Sequence, residues 1–324
     1  MSCLKLPRHP KRRRVLALLA ACVLVALFLD YALYPLGETS APRFDKGKNA
    51  VWLSFDFAQG QSKETSQHLA GRMEAGGIRD LYFHVRYIGK SGRLRFDVHD
   101  SSRRLNAELR KDDPHLRRFA WVYVGNARGI TGVDLSQSAI RARIADECAH
   151  LIRDGFDGIH LDTEMCSDGD ADFLALLDAI RARIGPHPLS VATPMWLPSP
   201  LGAYGWSESY FAQVGARCDQ IAVMSYDSGL YFPRHYAWLV RQQCFRVPRA
   251  LRGTGCRVLI GVPTYEDGGL SHHVHAENLR VALCAVREGL EDNPNASRVD
   301  GAAIFADYST DAQEWATWKR DWLR

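Results

Sequence analysis

No acidic residue precedes Asp30 in this 324-residue chain, although Lys5, Arg8, Lys11, Arg12, Arg13 and Arg14 do. No Cys-x-x-Cys pair occurs among the eight cysteines, and no metal-ligand spacing accompanies them. That removes the common zinc frameworks. No Gly-x-Gly-x-x-Gly follows the first apolar run after the N-terminal segment, which argues against a dinucleotide-binding domain. No short-period repeat and no low-complexity tract appears. A net positive charge is also missing beyond residue 34. Residues 1–34 hold six of the 41 basic residues and one of the 37 acidic ones, which leaves 35 against 36. A near-neutral remainder gives nucleic-acid binding no electrostatic support.

What the chain has at its start is a targeting pattern. The basic cluster leads into Val15–Leu29, fifteen uncharged apolar residues. This is short of the about 20 that a spanning helix uses. The positive-inside rule sets the tail in front of it in the cytoplasm. The segment reads first as an uncleaved signal anchor or transmembrane helix. A cleaved signal peptide and a lipoprotein signal, with Leu19-Ala20-Ala21-Cys22 as its box, are the alternatives. Each places the main domain outside the cytoplasm, periplasmic or extracellular. The expected organisation is a basic tail and membrane anchor over 1–34, a linker over 35–48, and one main domain over 49–324. Six cysteines fall in that domain, an even number compatible with disulfides or with buried free thiols.

From residue 49 onward, apolar runs alternate with helix-like runs. Expected strands are 50–57, 80–87, 118–124, 158–164, 189–195, 220–226, 257–263 and 301–307. Expected helices are 63–75, 137–154, 171–184, 208–216, 234–252, 274–291 and 311–323, with one short helix inside an irregular 88–116. Strands alternating with helices indicate a parallel sheet. Eight of them over this length fit an α/β fold of the (β/α)8 TIM-barrel type, preceded by the N-terminal helix. A doubly wound open sheet is the alternative.

The run from Gly155 to Glu164 carries the most chemistry. Its strand ends in Asp162 and Glu164, with His160 in the same row. Residues two apart on a strand share a face. Two carboxylates held together disfavour each other's ionisation, an arrangement suited to a general acid with a helper.

The stretch Asp157-Gly158-Ile159-His160-Leu161-Asp162-Thr163-Glu164 resembles the DxxDxDxE signature of glycoside hydrolase family 18, the chitinase-like barrels. His160 stands where that family has its second acid. Met224-Ser225-Tyr226-Asp227 resembles the family's MxYD at the sixth strand. Leu259–Tyr265 resembles its seventh strand. Phe305 takes the place of the eighth-strand aromatic, commonly Trp. The resemblance implies a barrel over most of 49–324 and a glycosidase cleaving next to N-acetylhexosamine by substrate-assisted retaining catalysis. It implies that Glu164 protonates the leaving oxygen and then activates water. Asp162 would orient the acetamide, Tyr226 would hold its oxygen, and Asp227 would position the sugar.

Met224, Trp196, Tyr265, Phe305 and His160 are the expected substrate-contacting residues, Trp196 and Tyr265 as sugar platforms. His160 also admits a hydrogen-bonded barrel histidine with no part in catalysis. Trp121 reads as core packing, and Trp315, Trp318 and Trp322 as helix packing. His272, His273 and His275 lack the framework of a metal site, so neither metal nor cofactor is expected. The partners expected are an N-acetylated oligo- or polysaccharide and, through the N-terminal helix, a membrane. A non-hydrolytic carbohydrate-binding barrel and a polysaccharide hydrolase of another barrel family are the alternatives.

Overall fold

A computed structural model of the chain describes residues 10–32, 39–125, 132–164, 166–198 and 205–323. Eight parallel strands close into a barrel in sequence order. They are β1 (Asn49–Leu53), β2 (Ile78–Tyr87), β3 (Arg117–Tyr123), β4 (Gly158–Asp162), β5 (Leu189–Thr193), β6 (Gln220–Val223), β7 (Arg257–Pro263) and β8 (Val299–Phe305). β8 returns to β1 through Ala303 beside Ala50 and Ile304 beside Val51. The helices are α1 (Pro10–Ala32), α2 (Phe55–Ala58), α3 (Ser66–Ala75), α4 (His99–Asp112), α5 (Ser138–Arg153), α6 (Ala171–Ile184), α7 (Glu208–Gly215), α8 (Pro233–Ala250), α9 (Leu279–Leu290) and α10 (Ala312–Asp321). This is a (β/α)8 barrel.

Strand alternation builds two cores. Val51, Leu53, Leu81, Phe83, Ile159 and Leu161 face outward and pack with the helices. Ala50, Trp52, Tyr82, Phe119, Trp121 and Leu259 fill the barrel interior. Large interior residues need small neighbours. Gly158 is one of these. A Cβ there would lie 2.5 Å from Pro188 O and 2.6 Å from the Phe119 ring. Side-chain caps set the starts of α6 and α10: Asp170 accepts from Asp172 N and Phe173 N, and Asp311 forms a capping box with Glu314.

Several strands stop earlier than the apolar runs suggest. β4 ends at Asp162 and β6 at Val223, so Glu164, Met224 and Tyr226 lie just past the ladder, on loops. The run from Ala50 also breaks early: Ser54 accepts from Asp56 N and turns Phe55–Ala58 into a helical turn. Residues 88–116 hold a full helix, α4, of 14 residues. The seven described cysteines are all free, with Cys218 and Cys256 sulfurs 3.7 Å apart.

The N-terminal segment departs most from expectation. Among the described residues no helix is long and apolar enough to cross a membrane. The structure therefore gives the expected anchor no support. The apolar side chains of α1 are exposed, Leu18 and Leu24 at 67%, and Phe28 and Tyr31 meet Phe232 edge-on. Residues 1–9 of the expected tail and 33–38 around the expected linker lie outside the described residues. The rest of that linker is docked: Ala41 is buried, Arg287 donates to its carbonyl, and Lys46 donates to Val299 O.

Candidate active site

A cavity of about 670 Å³ opens at the C-terminal ends of the strands, the end where barrels of this type carry their sites. Asp162, Thr163 and Glu164 line it from the end of β4. Met224, Tyr226 and Asp227 line it from the end of β6, and Phe305 from β8.

Asp162 is the last residue of β4 and is almost fully buried. Its Oδ2 accepts from Trp121 Nε1 at 3.0 Å, while Oδ1 has no partner in the protein. Burial, then the Glu164 charge, pushes its pKa up to about 7, against the opposing Trp121 hydrogen bond. Near neutrality this carboxyl is therefore shared between its two forms. Glu164 stands two residues further out and is exposed. Tyr123, the last residue of β3, donates to its Oε2 at 3.0 Å. Burial, and then the nearby Glu164 charge, holds the Tyr123 hydroxyl protonated.

Tyr226 is buried with its ring stacked on Phe305 at 4.8 Å. Gly261 makes the room, since a Cβ there would lie 3.1 Å from the Tyr226 ring and 2.6 Å from Val223 O. The Tyr226 hydroxyl has no partner and, held neutral by burial, is an unused donor. Asp227 sits in the left-handed region at φ 57°, a conformation that costs a non-glycine residue of order 1–3 kcal/mol. The Tyr265 hydroxyl donates to its Oδ1 at 2.7 Å. Behind them, buried His272 tilts against Tyr265 at 4.2 Å, its Nδ1 3.8 Å from Asp227 Oδ1 and 3.6 Å from Glu277 Oε2.

Three of the expected contact residues are placed elsewhere. His160 is fully buried beneath the cavity and does not line it. Trp52 donates to its Nε2 at 3.0 Å, so the proton sits on Nδ1, which donates to Ser190 Oγ at 2.8 Å. Its ring stacks on Tyr82 at 3.7 Å. Burial pushes its pKa down to about 3, so it is a neutral barrel histidine. The chain continues from Ser190 to Gln220 and on to Asp80, which Arg79 and Arg117 neutralise. Trp196 also does not line the cavity. It lies past the end of β5, where alternation no longer holds; Arg246 covers one face of its ring at 4.6 Å, and Pro194 and Met195 line the cavity instead. Tyr265 stands behind Asp227 rather than in the lining.

Trp121, Tyr123 and His84 line the cavity without having been singled out for it. The signal was present: Phe119, Trp121 and Tyr123 alternate along β3 and turn polar toward its C-terminal end. His84, on the neighbouring strand, stacks on Trp121 at 4.1 Å with Nε2 unpartnered, and burial pushes its pKa down to about 4. Among the described residues no trio of metal-ligating side chains lies in the cavity. Among the described residues the one such trio is His99, His150 and Asp154, none of which lines it. Chemically, the cavity offers two exposed carboxyls, Glu164 and Asp227, one buried carboxyl of raised pKa, and an unused phenol above stacked aromatics.

No protein-family model and no curated protein matches the sequence. Solved structures do match in shape. The chain is similar to the spore cortex-lytic enzyme SleL of Bacillus cereus, with 11% identity and a TM-score of 0.59 over 85% of this chain and 74% of that one. It is similar to a chitinase from Chromobacterium violaceum, with 16% identity and a TM-score of 0.55 over 84% and 98%. It is also similar to a mutant family-18 chitinase from Cycas revoluta in complex with (GlcNAc)4, with 12% identity and a TM-score of 0.59 over 85% and 99%. At these identities the likeness shows the fold.

Proposed function

We propose that the chain is a divergent member of glycoside hydrolase family 18 and cleaves glycosidic bonds next to N-acetylhexosamine residues. The observation that carries this reading is the convergence of Asp162, Glu164, Tyr226 and Asp227 on one cavity. Barrel neighbours named as chitinases and a cortex-lytic enzyme, one of them complexed with (GlcNAc)4, support it.

Glu164 protonates the leaving glycosidic oxygen while the substrate's acetamide oxygen attacks the anomeric carbon. No enzyme nucleophile is needed. Asp162 presents its unpartnered Oδ1 to the acetamide N–H and offsets the positive charge that develops there. The unused Tyr226 hydroxyl donates to the acetamide oxygen. Glu164, now ionised, accepts a proton from the water that opens the intermediate. Phe305, stacked beside Tyr226, gives the acetamide methyl an apolar seat. The test is turnover of N-acetylglucosamine oligomers and of cell-envelope glycans by wild type and Glu164→Gln. Equal rates from both proteins sink the assignment.

The barrel acts outside the cytoplasm, exported by its N-terminal segment. Six basic residues precede fifteen apolar ones, and the apolar side chains of α1 stand exposed, which a water-facing helix does not sustain. Cell fractionation with carbonate extraction separates an anchored protein from a released one. Recovery of intact, active protein from the cytosol alone rejects export.

A further inference from the structure

A second group of chemistry-bearing side chains lies outside the barrel, where α4 meets α5. His99 opens α4, His150 lies in the last turn of α5, and Asp154 caps that helix at its C-terminus. His150 and Asp154 are four residues apart, which sets them on one helix face. One nitrogen from each imidazole and one oxygen of the carboxylate all lie within 4.8 Å of one another. His99 Nδ1 is 2.5 Å from Asp154 Oδ2, and His150 Nε2 is 3.9 Å from Asp154 Oδ1. The two imidazoles stack with centroids 3.7 Å apart. Asp154 is buried, while His99 and His150 keep 21% and 39% of their side chains open to solvent.

We propose that His99, His150 and Asp154 form a binding site for one divalent transition cation of the zinc class, which joins the start of α4 to the end of α5. The donor set is two imidazoles and a carboxylate, the mixture that borderline-soft cations accept, with a fourth position left for water. In a tetrahedral shell with bonds of about 2.0–2.2 Å, donors sit roughly 3.3 Å apart. The separations, 2.5 Å to Oδ2 and 3.9 Å to Oδ1, bracket that spacing, and the stacked imidazoles turn out of parallel to aim both lone pairs at one ion. The C-terminal end of α5 carries the negative pole of its dipole and favours a cation there.

The opposing group is Arg103, whose Nη1 lies 2.9 Å from Asp154 Oδ1. It is half exposed and also pairs with Asp100 on its own helix, so it keeps a partner on leaving Asp154. Arg103 is thus a competitor for the carboxylate. None of these residues lines the cavity, and the site stands or falls independently of the hydrolase reading.

The test titrates the dialysed full chain with zinc chloride by calorimetry and follows its melting temperature. One zinc per chain is expected, with a rise in Tm. His99→Ala and His150→Ala should each weaken binding by about tenfold or more. These two solvent-reachable imidazoles are the variants of choice, because Asp154 is buried and caps a helix. Arg103→Ala should bind zinc more tightly than wild type. A His273→Ala/His275→Ala variant, altered at the other histidine cluster, should bind as wild type does. Absence of zinc binding by wild type overturns the proposal. So does zinc binding that both His99→Ala and His150→Ala leave intact, and so does weakened binding in Arg103→Ala.

Discussion

Two layers of one barrel treat buried polar groups in opposite ways. In the lower layer, His160 has both nitrogens bonded, and Ser190, Gln220 and Asp80 continue the chain to two arginines. Two residues further along β4, Asp162 leaves Oδ1 unbonded, and beside it the Tyr226 hydroxyl, Thr163 Oγ1 and His84 Nε2 are also unpartnered. An unpaired buried polar group costs about 1–3 kcal/mol. The same strands thus spend stability at one end and conserve it at the other. What the upper layer lacks is a polar partner supplied from outside.

Substitutions matched between the layers test that contrast. The largest effect is expected from Glu164→Gln, which removes the proposed general acid and should lower kcat by about 10²–10⁴-fold with the fold intact by circular dichroism. Next is the pair Tyr226→Phe and Tyr82→Phe. The first removes the unpartnered donor proposed to meet the acetamide oxygen and should lower kcat by about 10²–10³-fold at unchanged or slightly raised stability. The second strips a donor from Gln220 and should cost about 1–2 kcal/mol in urea unfolding with little effect on kcat. A result in which both phenylalanine variants lose stability alike breaks the contrast.

Asp162→Asn tests the cost of the upper layer. The folded protein holds this proton up to about pH 7, well above the ordinary carboxyl range. Stability from this group is therefore present at low pH and falls as pH rises from about 4 to about 7. Asp162→Asn should remove that slope and stabilise the protein at pH 8 by up to roughly 4 kcal/mol while lowering kcat by about tenfold or more. A flat pH dependence in the wild type over that window would contradict the raised pKa. His160→Leu should cost about 1–3 kcal/mol, since it leaves the Trp52 N–H and the Ser190 hydroxyl short of partners. Held neutral in the fold, His160 should also make wild type lose stability as pH falls from about 6.5 toward about 3, and His160→Leu should flatten that loss. The smallest effect is expected from Trp196→Ala. With one face of its ring already under Arg246, KM should change by less than about threefold, well inside the tenfold that 1.4 kcal/mol represents.

The barrel was legible because each strand repeats one pattern: apolar outward residues alternate with interior ones, and a helix follows. Asp162 and Glu164 were legible because two acids ended a buried strand. Tyr226 and Phe305 came with the second motif and the last strand. Trp196 was misplaced because nearness to the end of the fifth strand does not bring it over the cavity: past Thr193 the ladder has ended and its backbone is held by Gln243. His160 was ambiguous because a sequence does not say whether an inward histidine meets solvent or a ring of donors; the Trp52 indole settles it from another strand. The His99–His150–Asp154 group was hidden for a related reason. Only His150 and Asp154 share a short spacing, and His99 reaches them from another helix some fifty residues earlier in the chain.

The bond from Trp121 Nε1 to Asp162 has a practical corollary. An indole responds to charge set against its ring, and here the charge comes and goes with a single proton. The fluorescence of this tryptophan, isolated by difference against Trp121→Phe, is a built-in optical readout of the carboxyl's state. It would report the arrival of the proposed unlabelled sugar without any turnover at all.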